Sequence, residues 1–378
     1  MHIVIAPDSY KESLSATRVA EIIKMAFVNH FPEAKYSLLP LADGGEGTVE
    51  AILYAKTGNP YQTKVLDPLL REVDANWGII DDGKTAVIEM AAASGLPLLS
   101  ESQRDPCITS TYGTGQLILA ALDKGVNKII IGLGGSATND AGAGIIQALG
   151  GKLTNIEGQN LPPGGLALTE FDRLDLSEID PRLSKVELIV ACDVNNPLCG
   201  LNGASHIFGG QKGADESTRY ALDSALMHFA SKIETEFETV CSSKQSMGAA
   251  GGAPYGLSII HPKLKIVSGI EFILNELKYD VIIQQADLVI TGEGKMDNQT
   301  LEGKTPLGVA KIAKQANIPV IGLCGVVGDE SDQLRDYFDA VFPSIQSLKS
   351  LEATLQAASN SLYHTAVSVA AVTKMQFK

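Results

Sequence analysis

The sequence predicts an α/β fold in which mainly parallel sheets carry helices on both faces. Short apolar runs alternate with helix-compatible stretches along much of the chain, and glycine-rich polar turns follow several of these runs. A length of 378 residues is sufficient for two domains. We therefore expect a Rossmann-like, doubly wound parallel-sheet domain, a second, inserted α/β domain and an interdomain cleft, where small ligands commonly bind.

The strands of the first domain are predicted from short apolar runs bounded by turn residues. Such runs are typical of strands buried on both faces of a parallel sheet. The predicted strands are 2–5, 36–39, 128–131, 287–291, 319–323 and 340–342. Helix-compatible stretches adjoin them, such as 16–27, 113–122 and 306–315.

Two intervals break this alternation and predict the second domain. The first contains the runs 61–66, 73–80 and 85–89, joined by Asp-Pro and Asp-Asp-Gly turns, which predict antiparallel or mixed strands. The second contains a buried run at 186–191 and a long charged helix around 218–239. We assign 1–60, 107–150 and 281–378 to the Rossmann-like domain, and 61–106 and 151–280 to the second domain.

Composition and charge exclude several classes of partner. The formal net charge is −14 and acidic and basic residues are interspersed, so we expect neither a nucleic-acid nor a membrane partner. No segment approaches the ~20 apolar residues of a membrane span, and the first residues read as a strand and not as a signal peptide. Five dispersed cysteines suggest reduced thiols in a cytoplasmic protein, and the six dispersed histidines do not predict a zinc site. A homodimer is one possible oligomeric state.

The segment 287–311, DLVITGEGKMDNQTLEGKTPLGVAK, carries the densest set of chemical groups. A buried run is followed there by glycines, whose backbone N–H groups can bind an anion. The segment is not a Walker motif, because Asn298 occupies the position of that motif's first glycine. We predict phosphate binding by Gly292, Gly294, Lys295 and Lys304, and metal binding by Glu293 and Asp297.

Polar residues also follow the first two predicted strands. Asp8, Ser9 and Lys11 come after the first strand, where they predict either a ligand site or an ordinary N-cap with a solvated lysine. Two carboxylates lie among glycines after the second strand, and carboxylates in such a loop repel each other unless a cation or a donor-rich ligand lies between them. This second set is Asp43, Gly44, Gly45 and Glu46.

The turn after the strand 128–131 reads GGSATND. Its residues Gly134, Gly135, Ser136 and Asn139 are candidates for holding a phosphate, although the same residue types also cap helices. The segment 132–137 fits the loose G-x-G-x-x-A dinucleotide pattern, but no strand ending in Asp or Glu follows at the spacing that a ribose requires.

The second domain supplies three further candidates. Asp193 and Asn195 follow the buried run 186–191, and Lys212 lies between glycines in FGGQKGA. A glycine-rich loop alone is more often a plain turn than a site. Several such loops at strand ends favour a binding site.

Six blocks, taken together, resemble the bacterial-type glycerate kinase family. They are IAPDSYKESLSA, PLADGGEGT, GLGGSATNDAGAG, DVNNPLCGLNGA with FGGQKGA, GAAGG, and DLVITGEGKMDNQTLEGKTPLGVA. The blocks occur in the family's order over nearly the whole chain. The departures from the family pattern, Tyr10, Glu12 and Gly210, leave the charged positions intact.

This resemblance implies an ATP-dependent kinase of D-glycerate that uses magnesium and forms 2-phosphoglycerate. Phosphoryl transfer depends on alignment and on charge stabilisation. Asp193, Lys11 and Lys212 are therefore the candidate catalytic residues, with Asp193 nearest the reacting hydroxyl. Two other classes remain open: an NAD-dependent oxidoreductase of a small hydroxy acid and a non-catalytic carboxylate-binding protein.

Overall fold

A computed structural model describes residues 1–42, 45, 47–238, 241–302, 305–329, 331–347 and 349–376, with backbone only at 271, 275, 276, 299, 302 and 376. The predicted α/β class is confirmed, with parallel strands in both large sheets. The chain forms two compact units. Unit 1 is Met1–Asp43, Glu50–Thr57 and Gly269–Lys378, and unit 2 is Gly44–Val49 and Gly58–Ser268. Within the described ranges, no helix has the length and apolar character needed to cross a membrane.

The strands and helices are numbered in chain order. The strands are β1 His2–Ile5, β2 Lys35–Leu38, β3 Asn59–Leu66, β4 Glu72–Ile80, β5 Thr85–Glu89, β6 Lys128–Gly132, β7 Lys152–Thr154, β8 Arg173–Asp175, β9 Glu187–Ala191, β10 Lys265–Val267, β11 Leu288–Thr291, β12 Lys295–Met296, β13 Val320–Cys324, β14 Val326–Val327 and β15 Ala340–Pro343. The helices are α1 Ala16–Val28, α2 Thr48–Lys56, α3 Ala91–Ser94, α4 Tyr112–Asp123, α5 Ala143–Ala148, α6 Ala204–Phe208, α7 Glu216–Glu236, α8 Ala253–Ile260, α9 Gly269–Glu276, α10 Tyr279–Ile283, α11 Thr305–Gln315, α12 Leu351–Gln356 and α13 Ala358–Gln376.

Unit 1 is built on a five-stranded parallel sheet with the order β15-β13-β11-β1-β2. The chain moves from β1 to β2 on one side and then returns to β11 on the other side of β1. The strand order therefore reverses between β1 and β11, which pair in register through Ile5 and Ile290. Ligands of open α/β sheets bind beyond the carboxyl ends of the strands at such a reversal.

The core of unit 1 forms where α1 and α13 pack against this sheet. The amphipathic spacing of α1 buries Val19, Ile23 and Phe27 against Ile3 and Val369. Each fully buried aliphatic or aromatic side chain contributes roughly 1.5–3 kcal/mol relative to exposure. This packing holds the loops that follow β1 and β11 on a rigid base.

Unit 2 is built on a six-stranded sheet with the order β10-β9-β6-β5-β4-β3. The strands β10, β9, β6 and β5 are parallel, whereas β4 and β3 are antiparallel, as the turns of 61–102 predict. Trp77, the only tryptophan of the chain, is buried in β4. Its ring lies 5.0 Å from that of Tyr61, and its Nε1 donates to Thr63 Oγ1 at 2.9 Å.

Several parts of the predicted domain assignment differ from the structure. Residues 44–49 and 58–60, expected in the Rossmann-like domain, belong to unit 2, and residues 269–280, expected in the second domain, belong to unit 1. The largest difference concerns one continuous block. Residues 107–150 were expected in the Rossmann-like domain, but they belong to unit 2. Their strand β6 lies between β5 and β9, pairing Ile130 with Val87 and with Ile189. An apolar parallel strand has the same local pattern in either sheet, so the sequence does not specify which sheet receives it.

Most predicted elements exist with boundaries shifted by one or two residues. The predicted strands 36–39 and 287–291 are observed as β2 and β11, and the predicted helix 16–27 is observed as α1. The ends of elements depend on their last hydrogen bonds and are the least predictable feature. The charged helix predicted around 218–239 is α7, which begins two residues earlier because Asp215 Oδ1 accepts a hydrogen bond from Thr218 N.

Gly292 gives a test of this arrangement. A Cβ at this position would lie 1.6 Å from Leu323 O, whereas a Cβ on Gly294 would meet Lys11 N at 3.5 Å, an ordinary contact. We expect Gly292→Ala to lower the free energy of unfolding by about 3 kcal/mol or more, because β11 and β13 must separate. Gly294→Ala is the matched control and should lose about 1 kcal/mol at most. Urea unfolding followed by circular dichroism measures both, and equal stability of the two variants would contradict the packing of β11 against β13.

Candidate functional site

The loops after β1 and β11 meet at the strand reversal of unit 1. Asp8 N donates to Gly292 O at 2.8 Å, and Asp8 Oδ1 accepts a hydrogen bond from Ser9 N at 2.6 Å. Asp8 is buried and Ser9 is half-buried. The structure therefore brings together the predicted candidates Asp8, Ser9 and Gly292, which are separated by more than 280 residues of sequence.

Lys11 and Gly294 lie beside these residues. The backbones approach closely, since a Cβ on Gly294 would lie 3.5 Å from Lys11 N, and the Lys11 side chain is exposed. Tyr10 anchors this loop, because its hydroxyl donates to Leu323 O at 2.9 Å. Burial raises the pKa of Tyr10 well above its usual value, so the hydroxyl stays protonated as a donor. No local sequence pattern predicts this bond, which joins residues 313 positions apart.

Glu293 and Asp297, the predicted metal ligands, are linked through one hydroxyl. Thr300 Oγ1 donates to Glu293 Oε1 at 2.7 Å and accepts a hydrogen bond from Asp297 N at 3.1 Å. Lys295 Nζ lies 2.8 Å from Asp297 Oδ2, and this hydrogen bond and charge raise the pKa of Lys295. The arrangement joins two carboxylates and one exposed ammonium at the same strand end.

The loop after β2 is described only in part. Asp43, Gly44 and Glu46 lie outside the described residues, as does Lys304 of the later loop. Gly45 is buried, and its carbonyl accepts hydrogen bonds from Thr48 N at 3.3 Å and Thr48 Oγ1 at 2.8 Å. This closed turn belongs with unit 2.

The 134–136 turn follows β6 at the carboxyl edge of the sheet of unit 2. Gly135 has φ +74°, and its carbonyl accepts a hydrogen bond from Leu96 N at 2.8 Å, so the carbonyl is held by the neighbouring loop. Within the described ranges, the amides of Gly134, Gly135 and Ser136 donate no hydrogen bond. Successive free amides around a left-handed residue form a concavity that binds anions. The predicted anion-binding residues of this loop are therefore available as donors.

The rest of this loop is tied to the interior. Thr109 Oγ1 donates to Ala137 O at 2.9 Å, and Asn139 Nδ2 donates to Ser205 Oγ at 2.9 Å. Asn139 is fully buried, so its observed role is to join this loop to α6.

Lys212 is buried, with 1% of its surface exposed, and its Nζ donates to Thr138 O at 2.7 Å. Burial lowers the pKa of Lys212 to about 7, and the nearby Asp140 charge opposes this shift. In this structure the predicted catalytic lysine holds the backbone of the 133–140 loop.

Asp140, the last residue of the GGSATND turn, is fully buried near this lysine. Its Oδ2 accepts hydrogen bonds from Thr111 N and Thr111 Oγ1, both at 2.9 Å, and from Gly144 N at 3.2 Å. Its Oδ1 accepts one from Gly142 N at 3.1 Å. Burial raises the pKa of Asp140 and these four hydrogen bonds oppose the rise. Asp140 thus fixes both the start of α4 and the start of α5.

Asp193 and Asn195 follow β9, the neighbour of β6. Both are exposed, and Asp193 Oδ1 accepts a hydrogen bond from Ser268 Oγ at 2.7 Å, just beyond β10. The loops after β6 and β9 begin side by side, because Leu133 N donates to Ala191 O at 3.4 Å. The structure therefore places the predicted catalytic carboxylate of Asp193 at the same sheet edge as the 134–136 turn.

Sequence reasoning did not identify three residues that fix the loops at the strand ends: Asp140, Thr300, and Glu89, whose Oε1 accepts a hydrogen bond from Val49 N at 2.7 Å. Glu89 had a detectable signal, since it is the charged residue that ends the apolar run of β5. Asp140 and Thr300 act through partners 29 and 7 residues away, and such pairs leave no local pattern. In the described part of the chain, no group of three or more His, Cys, Asp or Glu side chains is arranged as a metal site.

Lys212 allows a test of the buried charge. The native pKa is about 7 and the ordinary value is 10.5, so between these pH values the unfolded state binds the additional proton. The contribution of Lys212 to stability therefore rises with pH across this window. We expect the stability of wild type relative to Lys212→Met to increase by roughly 2 kcal/mol from pH 7.5 to pH 9.0.

Urea unfolding followed by Trp77 fluorescence measures this difference, because Trp77 lies in the same unit as Lys212. Lys232→Met is a matched control, since the Lys232 Nζ pairs with Asp172 at the surface and the Lys232 side chain is 44% exposed. A pH-independent difference between wild type and Lys212→Met would show that Lys212 does not titrate in this range.

Comparison with known proteins gives a consistent result over the whole chain. The sequence profile of the Glycerate kinase family matches residues 3–374. Glycerate kinase of Bacillus subtilis (strain 168) is 46% identical over 376 residues, which cover 99% of this chain and 98% of the relative. Glycerate 2-kinase of Escherichia coli (strain K12) is 47% identical over 373 residues, covering 98% of this chain and 97% of the relative.

Comparison with solved structures finds the same family. A candidate glycerate kinase 2 from Salmonella typhimurium LT2 has a TM-score of 0.87 and 46% identity, covering 100% of this chain and 99% of that chain. The resemblance seen in the six sequence blocks is thus confirmed at full length. The chain belongs to the glycerate kinase family.

Proposed function

We propose that this protein catalyses the ATP-dependent phosphorylation of D-glycerate to 2-phospho-D-glycerate. The observation that carries the proposal is the shared sheet edge in unit 2. There the three amides of the 134–136 turn, which donate no hydrogen bond within the described ranges, follow β6, the neighbour of the strand that precedes Asp193. Glycerate has a carboxylate, which the amides can bind, and a hydroxyl, which Asp193 can orient. The full-length similarity to a glycerate 2-kinase supports the choice of hydroxyl.

In this proposal, the amides of the 134–136 turn bind the glycerate carboxylate, and Asp193 orients or deprotonates the hydroxyl. Asp193 suits this role because its side chain is exposed and Ser268 holds one of its oxygens. Asn195 lies on the same loop and can donate to a substrate oxygen. Lys212 and Asp140 act on this loop from the interior, and their effect on rate comes through the position of the amides.

The phosphate groups of ATP are proposed to bind at the strand reversal of unit 1. The loop of Gly292 and Gly294 lies against the loop of Asp8 and Lys11 at this reversal, which is where ligands of open α/β sheets bind. Lys11 and Lys295 supply positive charge there, which stabilises the charge on the transferring group. We also infer that unit 1 is a Rossmann-like, doubly wound domain, a proposal supported by its parallel strand order and by the reversal at β1.

Magnesium fits the donor set at Glu293 and Asp297. Mg²⁺ prefers oxygen ligands and is usually held by one or two carboxylates together with substrate phosphates, so a pair of carboxylates is sufficient. A bound ion would offset the negative charge of the ATP phosphates. In this structure, Lys295 Nζ pairs with Asp297 Oδ2.

The proposed kinase activity can be measured directly. The protein should release ADP from ATP only when D-glycerate is present, and EDTA in excess over Mg²⁺ should abolish turnover. A coupled ADP assay measures both, and a parallel nicotinamide absorbance assay tests the oxidoreductase alternative. Phosphorus NMR of the product identifies the hydroxyl. A 3-phosphoglycerate product would overturn the proposed regiochemistry.

Two single substitutions test the proposed roles. We expect Lys11→Ala and Asp193→Asn each to lower kcat/KM by about 10²-fold, because Lys11 is proposed to stabilise the phosphate charge and Asp193 to orient or deprotonate the hydroxyl. Lys24→Ala and Asp74→Asn are controls, since both side chains are exposed outside the two strand edges. Near-normal activity of a folded Asp193→Asn variant would exclude Asp193 as the base.

A further inference from the structure

We propose that Glu89 is a positioning residue, whose carboxylate holds the first turn of α2 and thereby fixes the 45–48 turn at the sheet edge that carries the 134–136 turn. The proposal rests on the proposed phosphoryl transfer, and it adds to the binding surface the turn that contains Gly45, a phosphate-binding candidate predicted from the sequence. It concerns a residue that acts through the backbone and does not touch substrate.

The backbone of Glu89 is held at the carboxyl end of β5. It is the last residue of β5 and pairs in register with Gly132, the last residue of β6. Met90 N then donates to Gly132 O at 2.9 Å, so the backbone around Glu89 is fixed against the strand that leads into the 134–136 turn.

The side chain of Glu89 reaches α2. Its Oε1 accepts a hydrogen bond from Val49 N at 2.7 Å, and Val49 is the second residue of the helix. The first amides of a helix have no partner within the helix, so a carboxylate from elsewhere can satisfy one of them. Negative charge is also favourable at a helix N-terminus. Glu89 is half-buried and Val49 is 8% exposed, which shields this bond from water.

Holding Val49 also holds the turn before it. Thr48, which is 1% exposed, closes the turn by donating from its N and its Oγ1 to Gly45 O. The segment Gly44–Val49 groups with unit 2, although the residues that follow it, Glu50–Thr57, group with unit 1. The bond from Val49 N to Glu89 is a direct contact that binds this segment to unit 2.

Two roles for Glu89 predict different substitution effects. A positioning role needs only a hydrogen-bond acceptor, which Glu89→Gln retains and the similarly sized Glu89→Met loses. A role as base or metal ligand needs the negative charge, which both variants lack. Glu187→Met is a matched control, because Glu187 is the first residue of β9, at the opposite edge of the same sheet, where it pairs with Lys265.

The experiment measures kcat and KM for glycerate together with hydrogen exchange of the peptide 45–52, followed by mass spectrometry. For Glu89→Met we expect about tenfold lower kcat, a KM within about threefold of wild type, and about tenfold faster exchange in this peptide only. Glu89→Gln should stay within about threefold of wild type in all three quantities. Trp77 fluorescence checks that unit 2 remains folded.

Two results would overturn the proposal. Equal loss of activity in Glu89→Gln and Glu89→Met would assign the charge a direct role, and unchanged exchange and kcat in Glu89→Met would remove the positioning role. If Glu89→Met does not fold, Glu89→Gln still decides between the two roles. If wild type lacks glycerate kinase activity, the proposed function fails separately, while the exchange comparison still supports or overturns the hold of Glu89 on the 45–48 turn.

Discussion

Parallel pairing of β5, β6, β9 and β10 is the constraint on which the candidate site of unit 2 depends. Parallel strands end at the same edge of a sheet, so the loops that follow them collect there. Glu89, the 134–136 turn, Asp193 and Ser268 are all brought to one edge in this way. Unit 1 uses the same constraint, since the loops after β1 and β11 meet where its strand order reverses.

In the loop after β6, hydrogen bonds to the backbone carbonyls set the geometry of the proposed anion site. Three of its carbonyls, those of Gly135, Ala137 and Thr138, are bound by donors from other loops, including the ammonium of Lys212. Buried carbonyls require such partners, because an unpaired one costs free energy comparable to a lost hydrogen bond. Fixing these carbonyls also fixes the neighbouring amides, which remain free to bind an anion in the part of the chain that is described.

Burying Lys212 and Asp140 lowers the stability of unit 2, and both residues are needed to hold the loop after β6. Burial opposes the charged form of both Lys212 and Asp140, and four hydrogen bonds to Asp140 offset part of that opposition. The chain as a whole has a formal net charge of −14, so a polyanionic substrate is repelled at long range. The exposed ammonium groups of Lys11 and Lys295 lie at strand ends, where we propose that they attract the phosphate groups of ATP locally.

The sequence by itself determined the α/β class, most of the strands and the family, because apolar runs and strand-end loops are local patterns. It also located Asp8, Gly292, Asp193 and the 134–136 turn as candidates, since each directly follows a strand. Only the tertiary structure decided that β6 belongs with β5 and β9, that Lys212 is buried against Thr138 and Asp140, and that Glu89 holds Val49. The reason is physical: sheet membership and buried side-chain pairs depend on contacts between distant segments, and an apolar strand or a lone lysine has the same local sequence in either environment.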